Sequence, residues 1–211
     1  AEQLLKRIDP RKATGSDGIP GLLLKYCADL LAPSVAALFN ASLTSGTVPA
    51  GFKRAYVTPL HKAGDPSVAN NFRPVSLLPI LSKLLEKVVQ KALVTFLDMA
   101  GSLPSTQFAF RTGHSTEDAL VLMVNRILAS RDRRMFTGVV LLDMSKAFDK
   151  VRHQQLVEDL FCVGVTGTAL QWLMSYLSDR CQIVQLGSQL STVAACSCGV
   201  PQGSVLGPLL S

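Results

Sequence analysis

Apolar residues recur at helical spacing along residues 81–99. Leu81, Leu84, Leu85, Val88, Val89, Ala92, Leu93, Phe96 and Leu97 share one face, and Lys83, Lys87 and Lys91 share another. The pattern predicts the clearest helix of the chain, with its lysine row solvated. Weaker amphipathic patterns predict helices over residues 22–31 and 34–43, separated by Pro33, with Gly46 closing the second. A helix over 116–130 is predicted with Ser115 as N-cap and Glu117 and Asp118 in its first turn. Two more are predicted: 149–161, with Asp149 as N-cap, and 168–177, which carries Trp172 and Tyr176.

Strand signals are fewer. Residues 56–60 form a short candidate, and residues 138–142 an unbroken apolar run of the kind buried on both faces of a sheet. Residues 181–186 and 192–200 flank the turn Gly187-Ser188 and predict a hairpin. Residues 10–20 and 61–71 are loops rich in Gly, Pro and polar residues. Helices interspersed with few strands predict an α+β fold.

Composition narrows the class. The chain has 211 residues, 48% of them hydrophobic, which suits a folded interior and argues against a disordered tail. Its net charge of +6 fits a polyanionic partner, although many soluble proteins carry as much. The cysteines Cys27, Cys162, Cys181, Cys196 and Cys198 are odd in number and form no C-x-x-C pair, which predicts free, mostly buried thiols and no disulfide-linked partner. Charges interrupt every long apolar stretch, so no membrane association is expected. The chain opens without Met and stops within a motif, which reads as a fragment.

Candidate chemistry begins at Asp143. A buried strand that ends in a carboxylate delivers an anion to a cleft, and an aspartate so placed can equally cap the next helix. A two-metal phosphoryl-transfer site needs several carboxylates around ions about 4 Å apart, and the sequence contains no Asp-Asp pair.

The motifs become specific together. LLDMSKAFDKV, containing Asp143, resembles the first aspartate motif in the reverse transcriptases of non-LTR (LINE-like) retrotransposons. GVPQGSVLGPLL resembles the nucleotide-site motif that follows it. KATGSDGIP, NNFRPVSLLPILSKLLEK and LPSTQFAFRTGHST resemble three upstream blocks of the same family, and all five occur in family order. Ala109 departs from the glycine usual in the third of these, which stiffens that loop.

The resemblance implies a right-hand polymerase fold, with fingers over about residues 1–137, part of a palm over about 138–211, and no thumb. It implies RNA-directed DNA synthesis with an RNA template, a DNA primer, dNTPs and two Mg2+ ions, and an intracellular location in nucleus and cytoplasm. By position, Asp143 is the metal-binding catalytic aspartate, and the backbone carbonyl of Met144 completes its shell. Phe148 blocks a ribose 2′-hydroxyl, Arg73 and Lys62 contact the triphosphate, and Gln202 and Gly203 lie against the nucleotide. Arg111 and His114 contact nucleic acid. Without the resemblance, Phe148 is an ordinary core aromatic, Arg73 and Lys62 are surface charges, and Arg111 and His114 are loop polar residues. The segment Pro201–Ser204 is then a turn with Ser204 as N-cap. The resemblance also places an aromatic-x-Asp-Asp motif after Leu210, so the chain alone is expected to be inactive and reduced in stability. A non-catalytic nucleic-acid-binding module and an inactive retroelement remnant are the other readings.

Overall fold

The computed structural model describes residues 1–111 and 113–211. They divide into two compact units, Ala1–Leu93 with Ala147–Ser211, and Val94–Lys146.

In the first unit, α1 (Glu2–Lys6), α2 (Gly21–Tyr26) and α3 (Ala28–Ser45) precede the hairpin of β1 (Arg54–His61) and β2 (Phe72–Leu77). Then α4 (Ile80–Met99) begins. After the second unit come α6 (His153–Cys162), α7 (Gly167–Leu177), β3 (Arg180–Leu186), β4 (Gln189–Leu190), β5 (Ala194–Cys196) and α8 (Gly207–Leu210). The second unit holds the last turns of α4 and α5 (Thr116–Asp132).

The sheet is mixed. Antiparallel β2 flanks β1, parallel β3 flanks it on the other side, and β4 and β5 both pair antiparallel with β3. Its core face and the helices bury Leu5, Phe39, Val57, Leu84, Leu85, Trp172, Leu173 and Leu206. Trp172 meets its polar requirement inside the core: its indole N–H donates to Ser42 Oγ at 3.0 Å, and Ser42 donates to Thr47 O at 2.7 Å. The second unit buries little. None of the side chains of α5 is buried, and its N-terminus is held by a capping box in which Ser115 and Asp118 exchange hydrogen bonds.

The α+β class, α4, α5 and α7 agree with the sequence reading, and so does β3 with its turn, although only Ala194–Cys196 of the expected partner strand 192–200 pairs with it and β4 forms before that. Five expectations need correction. Residues 138–142 form no strand; Leu141 and Leu142 are 87% and 92% exposed. An apolar run becomes a strand only where neighbouring strands take its N–H and C=O groups, and no described strand pairs with this one. Pro33 lies inside α3, and the helical break falls at Cys27. Pro33 and Asp29, the residue whose carbonyl the proline leaves without its helical donor, are both exposed, where that loss costs least. Asp149 is not a helix cap: the chain stays extended at Val151 and Arg152, where Val151 O accepts from Gly199 N, and α6 starts after Arg152. Lys83 is half-buried, unlike the exposed Lys87 and Lys91, and burial lowers its pKa. The cysteines are free but none is buried, because three of them line or border a cleft and the others sit near helix ends.

Candidate nucleotide-holding site

The loop from Gly199 to Leu206 has three supports, all within the first unit. At its start, Gly199 N donates to Val151 O and Val200 N to Phe148 O, both at 2.8 Å, while a ring nitrogen of His153 lies 2.7 Å from Gly199 O. Gly199 has φ +80°, and a Cβ there would stand 2.9 Å from Phe148 O. Only glycine fits both the backbone conformation and the approach.

The middle of the loop covers the free edge of β2. Ser76 N donates to Gln202 O at 2.7 Å. Gly203, at φ +116°, sits so close that an added Cβ would be 2.8 Å from Ser76 O. Ser204 then bridges the turn, donating from Oγ to Pro201 O at 2.8 Å and accepting from Gly207 N at 2.9 Å. Leu206, not Ser204, occupies the N-cap position of α8.

The end of the loop is held by α4. Glu86 Oε2 accepts from Val205 N at 2.7 Å and from Leu206 N at 3.1 Å. Four residues on, Gln90 Nε2 donates to Val205 O at 3.2 Å. Ser82 Oγ donates to Glu86 Oε1 at 3.2 Å, and Tyr176 Oη to Oε2 at 3.4 Å. Glu86 is 1% exposed. Burial raises its pKa, opposed by the amides of Leu206 and Val205 and by the Arg180 charge. Arg180 is itself buried, stacks its guanidinium 4.8 Å from the Tyr176 ring centroid, and donates from Nη1 to Tyr176 O at 2.9 Å. Its Nη2 is buried with no hydrogen-bond partner among the described residues. Burial, and then Glu86, push the Tyr176 hydroxyl above its ordinary pKa.

A cleft of about 420 Å³ lies beside the loop, lined among others by Ala55, Val57, Ser76, Arg180, Gln182 and Gln202. Burial pushes the Cys196 thiol at its wall upward.

The residues singled out in the sequence fall into two groups. Gln202 and Gly203 dock on Ser76 in the middle of the loop, and Phe148 borders the loop: its carbonyl accepts from Val200 N, and its ring lies 3.7 Å from where a Cβ on Gly207 would stand. Arg73 is exposed on β2, opposite Leu60. By strand alternation it points to the face opposite that of Pro74 and Ser76. Lys62 is exposed at the same end of the hairpin, where its N–H donates to Asn71 O at 2.8 Å. The second unit contains the others. Asp143 and Met144 are exposed in an irregular segment. The Arg111 guanidinium is held by Asp98 Oδ1 at 3.1 Å and Pro104 O at 3.0 Å, and the His114 ring meets Phe108 edge-on at 5.8 Å.

Sequence reasoning missed Glu86, Gln90, Tyr176 and Arg180 as supports of the loop. One signal was present. On a helical wheel Glu86 lies with Ser82, Val89 and Leu93 at the edge of the apolar stripe, away from the exposed lysines. The partner amides lie more than a hundred residues away, and periodicity carries no information about them.

A family described as reverse transcriptase (RNA-dependent DNA polymerase) matches residues 60–211. The chain is 35% identical over 212 aligned residues to a probable RNA-directed DNA polymerase from transposon BS of Drosophila melanogaster. It is 31% identical over 210 to the RNA-directed DNA polymerase from mobile element jockey of the same fly. Each alignment covers 99% of this chain and 23% of the relative, so the chain spans under a quarter of those proteins. A Pol polyprotein from type-1 retrotransposable element R2 of Popillia japonica is 29% identical over 169 residues, covering 80% of this chain and 23% of that protein. With the family match extending from the tip of β1 through the Gly199–Leu206 loop, the chain belongs to the reverse transcriptase family, in the company of non-LTR retrotransposon polymerases.

Proposed function

We propose that this chain forms the fingers and part of the palm of an RNA-directed DNA polymerase, and holds the incoming dNTP during extension of a DNA primer on an RNA template. The observation that carries the reading is the docking of Gln202 and Gly203 on the edge of β2, the strand that carries Arg73. Gly203 lets backbone approach a ligand closely, and the Arg73 guanidinium presents a planar fork of donors suited to phosphate oxygens. Lys62, at the same end of the hairpin, adds a point charge for the triphosphate. Phe148, beside the loop, excludes a ribose 2′-hydroxyl by bulk. Arg111 and His114 serve the nucleic-acid strands.

Asp143, with the Met144 carbonyl, contributes to binding Mg2+. One aspartate does not hold two ions, and among the described residues no cluster of three or more His, Cys, Asp or Glu could hold a metal. The described residues therefore do not by themselves make up the two-ion site, and the chain alone is expected to be inactive.

The test is to replace the matching segment of the jockey polymerase with this chain and follow labelled dNTP incorporation on an RNA template. Incorporation that Asp143→Ala abolishes supports the reading. A correctly folded chimera without incorporation contradicts it, as does incorporation by the isolated chain for its expected inactivity.

A further inference from the structure

We propose that Glu86 is a positioning residue for the nucleotide-holding loop, fixing through Val205 and Leu206 the place of Gln202 and Gly203 against β2. The nucleotide part of this statement rests on the function proposed above.

The geometry is that of a clamp. The loop touches β2 through Gln202 and Gly203 on one side and α4 through Val205 and Leu206 on the other, with Ser204 bracing the turn between them. A single carboxylate oxygen takes both α4-side amides. These N–H groups precede the short helix α8, and the amide of the fully buried Leu206 would otherwise be left unpaired away from water. A buried carboxylate is costly to desolvate, and a helix of this apolar pattern would gain by a leucine at the same position unless the acceptor were needed. Ser82, Tyr176 and Gln90 satisfy or brace the rest of the arrangement, and Arg180 supplies a positive charge. The carboxylate thus takes donors from α4 itself, from α7 and from the loop.

Glutamine can reproduce the pattern: its oxygen accepts from the two amides, and its NH2 donates to the Ser82 hydroxyl. Leucine fills the volume but accepts nothing. The two substitutions therefore separate hydrogen bonding from packing.

The experiment has two arms. In the 211-residue chain, amide hydrogen exchange is followed at Val205 and Leu206 in wild type, Glu86→Gln and Glu86→Leu. Exchange at both amides is expected to quicken roughly tenfold or more in Glu86→Leu, from loss of charge-assisted hydrogen bonds. Glu86→Gln stays near wild type, and the amides of the β1–β2 pair do not change. Equal rates at Val205 and Leu206 in wild type and Glu86→Leu overturn the clamp. If Glu86→Leu does not fold, Glu86→Asp, whose carboxylate stands one methylene short of the two amides, is expected to quicken Val205 and Leu206 selectively; unchanged exchange there overturns the clamp equally. In the polymerase chimera, Glu86→Leu is expected to raise KM for dNTP roughly tenfold with kcat little changed, and Glu86→Gln to restore it. An unchanged KM with lower thermal stability makes Glu86 merely structural and overturns the proposal. A wild-type chimera that incorporates no dNTP counts against the proposed function, and the exchange arm then decides whether Glu86 holds the loop.

Discussion

The amide of Ser76 donates to the carbonyl of Gln202 at 2.7 Å, so a loop 126 positions downstream caps the free edge of β2. This one bond ties the strand bearing Arg73 to the residues that resemble a nucleotide platform. It also protects an edge that would otherwise be open to pairing with another chain. The loop keeps its shape because glycine occupies the closest approach.

Gly203→Ala is therefore expected to fail locally. Its Cβ would meet Ser76 O at 2.8 Å, at a φ of +116° that L-residues rarely adopt. Strain of this kind costs about 1–3 kcal/mol. Thermal unfolding of the purified chain should show the loss, and an unchanged midpoint would count against the docking.

Stability should depend on pH through Glu86. Burial raises its folded pKa above the ordinary 4.5, although Arg180 and the two loop amides oppose the rise. A group that binds its proton more tightly when folded contributes stability that is full below pH 4.5 and fades as pH rises through the folded value. Tyr176, whose pKa is also raised, stays protonated across this window. Glu86→Gln should therefore gain on wild type in denaturant unfolding as pH climbs from 4.5 toward neutrality. A constant difference across that range would contradict the assignment.

Ser42→Ala should destabilise the first unit by about 1–3 kcal/mol, because it strands the buried Trp172 indole N–H and removes the hydrogen bond to Thr47 O. Trp172 is the only tryptophan, so urea unfolding followed by its fluorescence reads this site without interference. A shift below 0.5 kcal/mol, roughly the scale of a surface substitution, would mean that the hydrogen bonds carry no weight.

The capping box of α5 makes a prediction for the second unit. Ser115→Ala removes the acceptor for Asp118 N, worth about 0.5–2 kcal/mol. With no buried side chain on α5, little else opposes fraying, so amide exchange should quicken in its first turn. Protection equal to wild type would show that the cap is not what holds that end.

Much of this architecture was legible along the chain, and the gaps have physical causes. The stripes of α4 and α7 show because each buries one face against a core, so period and burial coincide. Ser115 and Asp118 show because capping is local. β2 escaped notice because Pro74 interrupts its pattern, which an edge strand tolerates. The run at residues 138–142 misled because apolarity specifies burial but not a partner strand. Asp149 misled because a distant residue, Gly199, holds the chain extended behind it. The glycine-bearing loop stood out in the sequence as a motif, whereas its contact with Glu86 did not: that contact exists only once α4 meets Val205 and Leu206 in space.

The most direct measurement is the KM for dNTP of the polymerase chimera carrying Gln202→Ala or Arg73→Ala. Loss of one charge-assisted or close polar contact to the nucleotide should raise KM roughly tenfold or more, with both proteins folded as wild type. If the chimera polymerises and both substitutions leave KM and kcat unchanged, the loop docked on Ser76 is not the nucleotide-holding site.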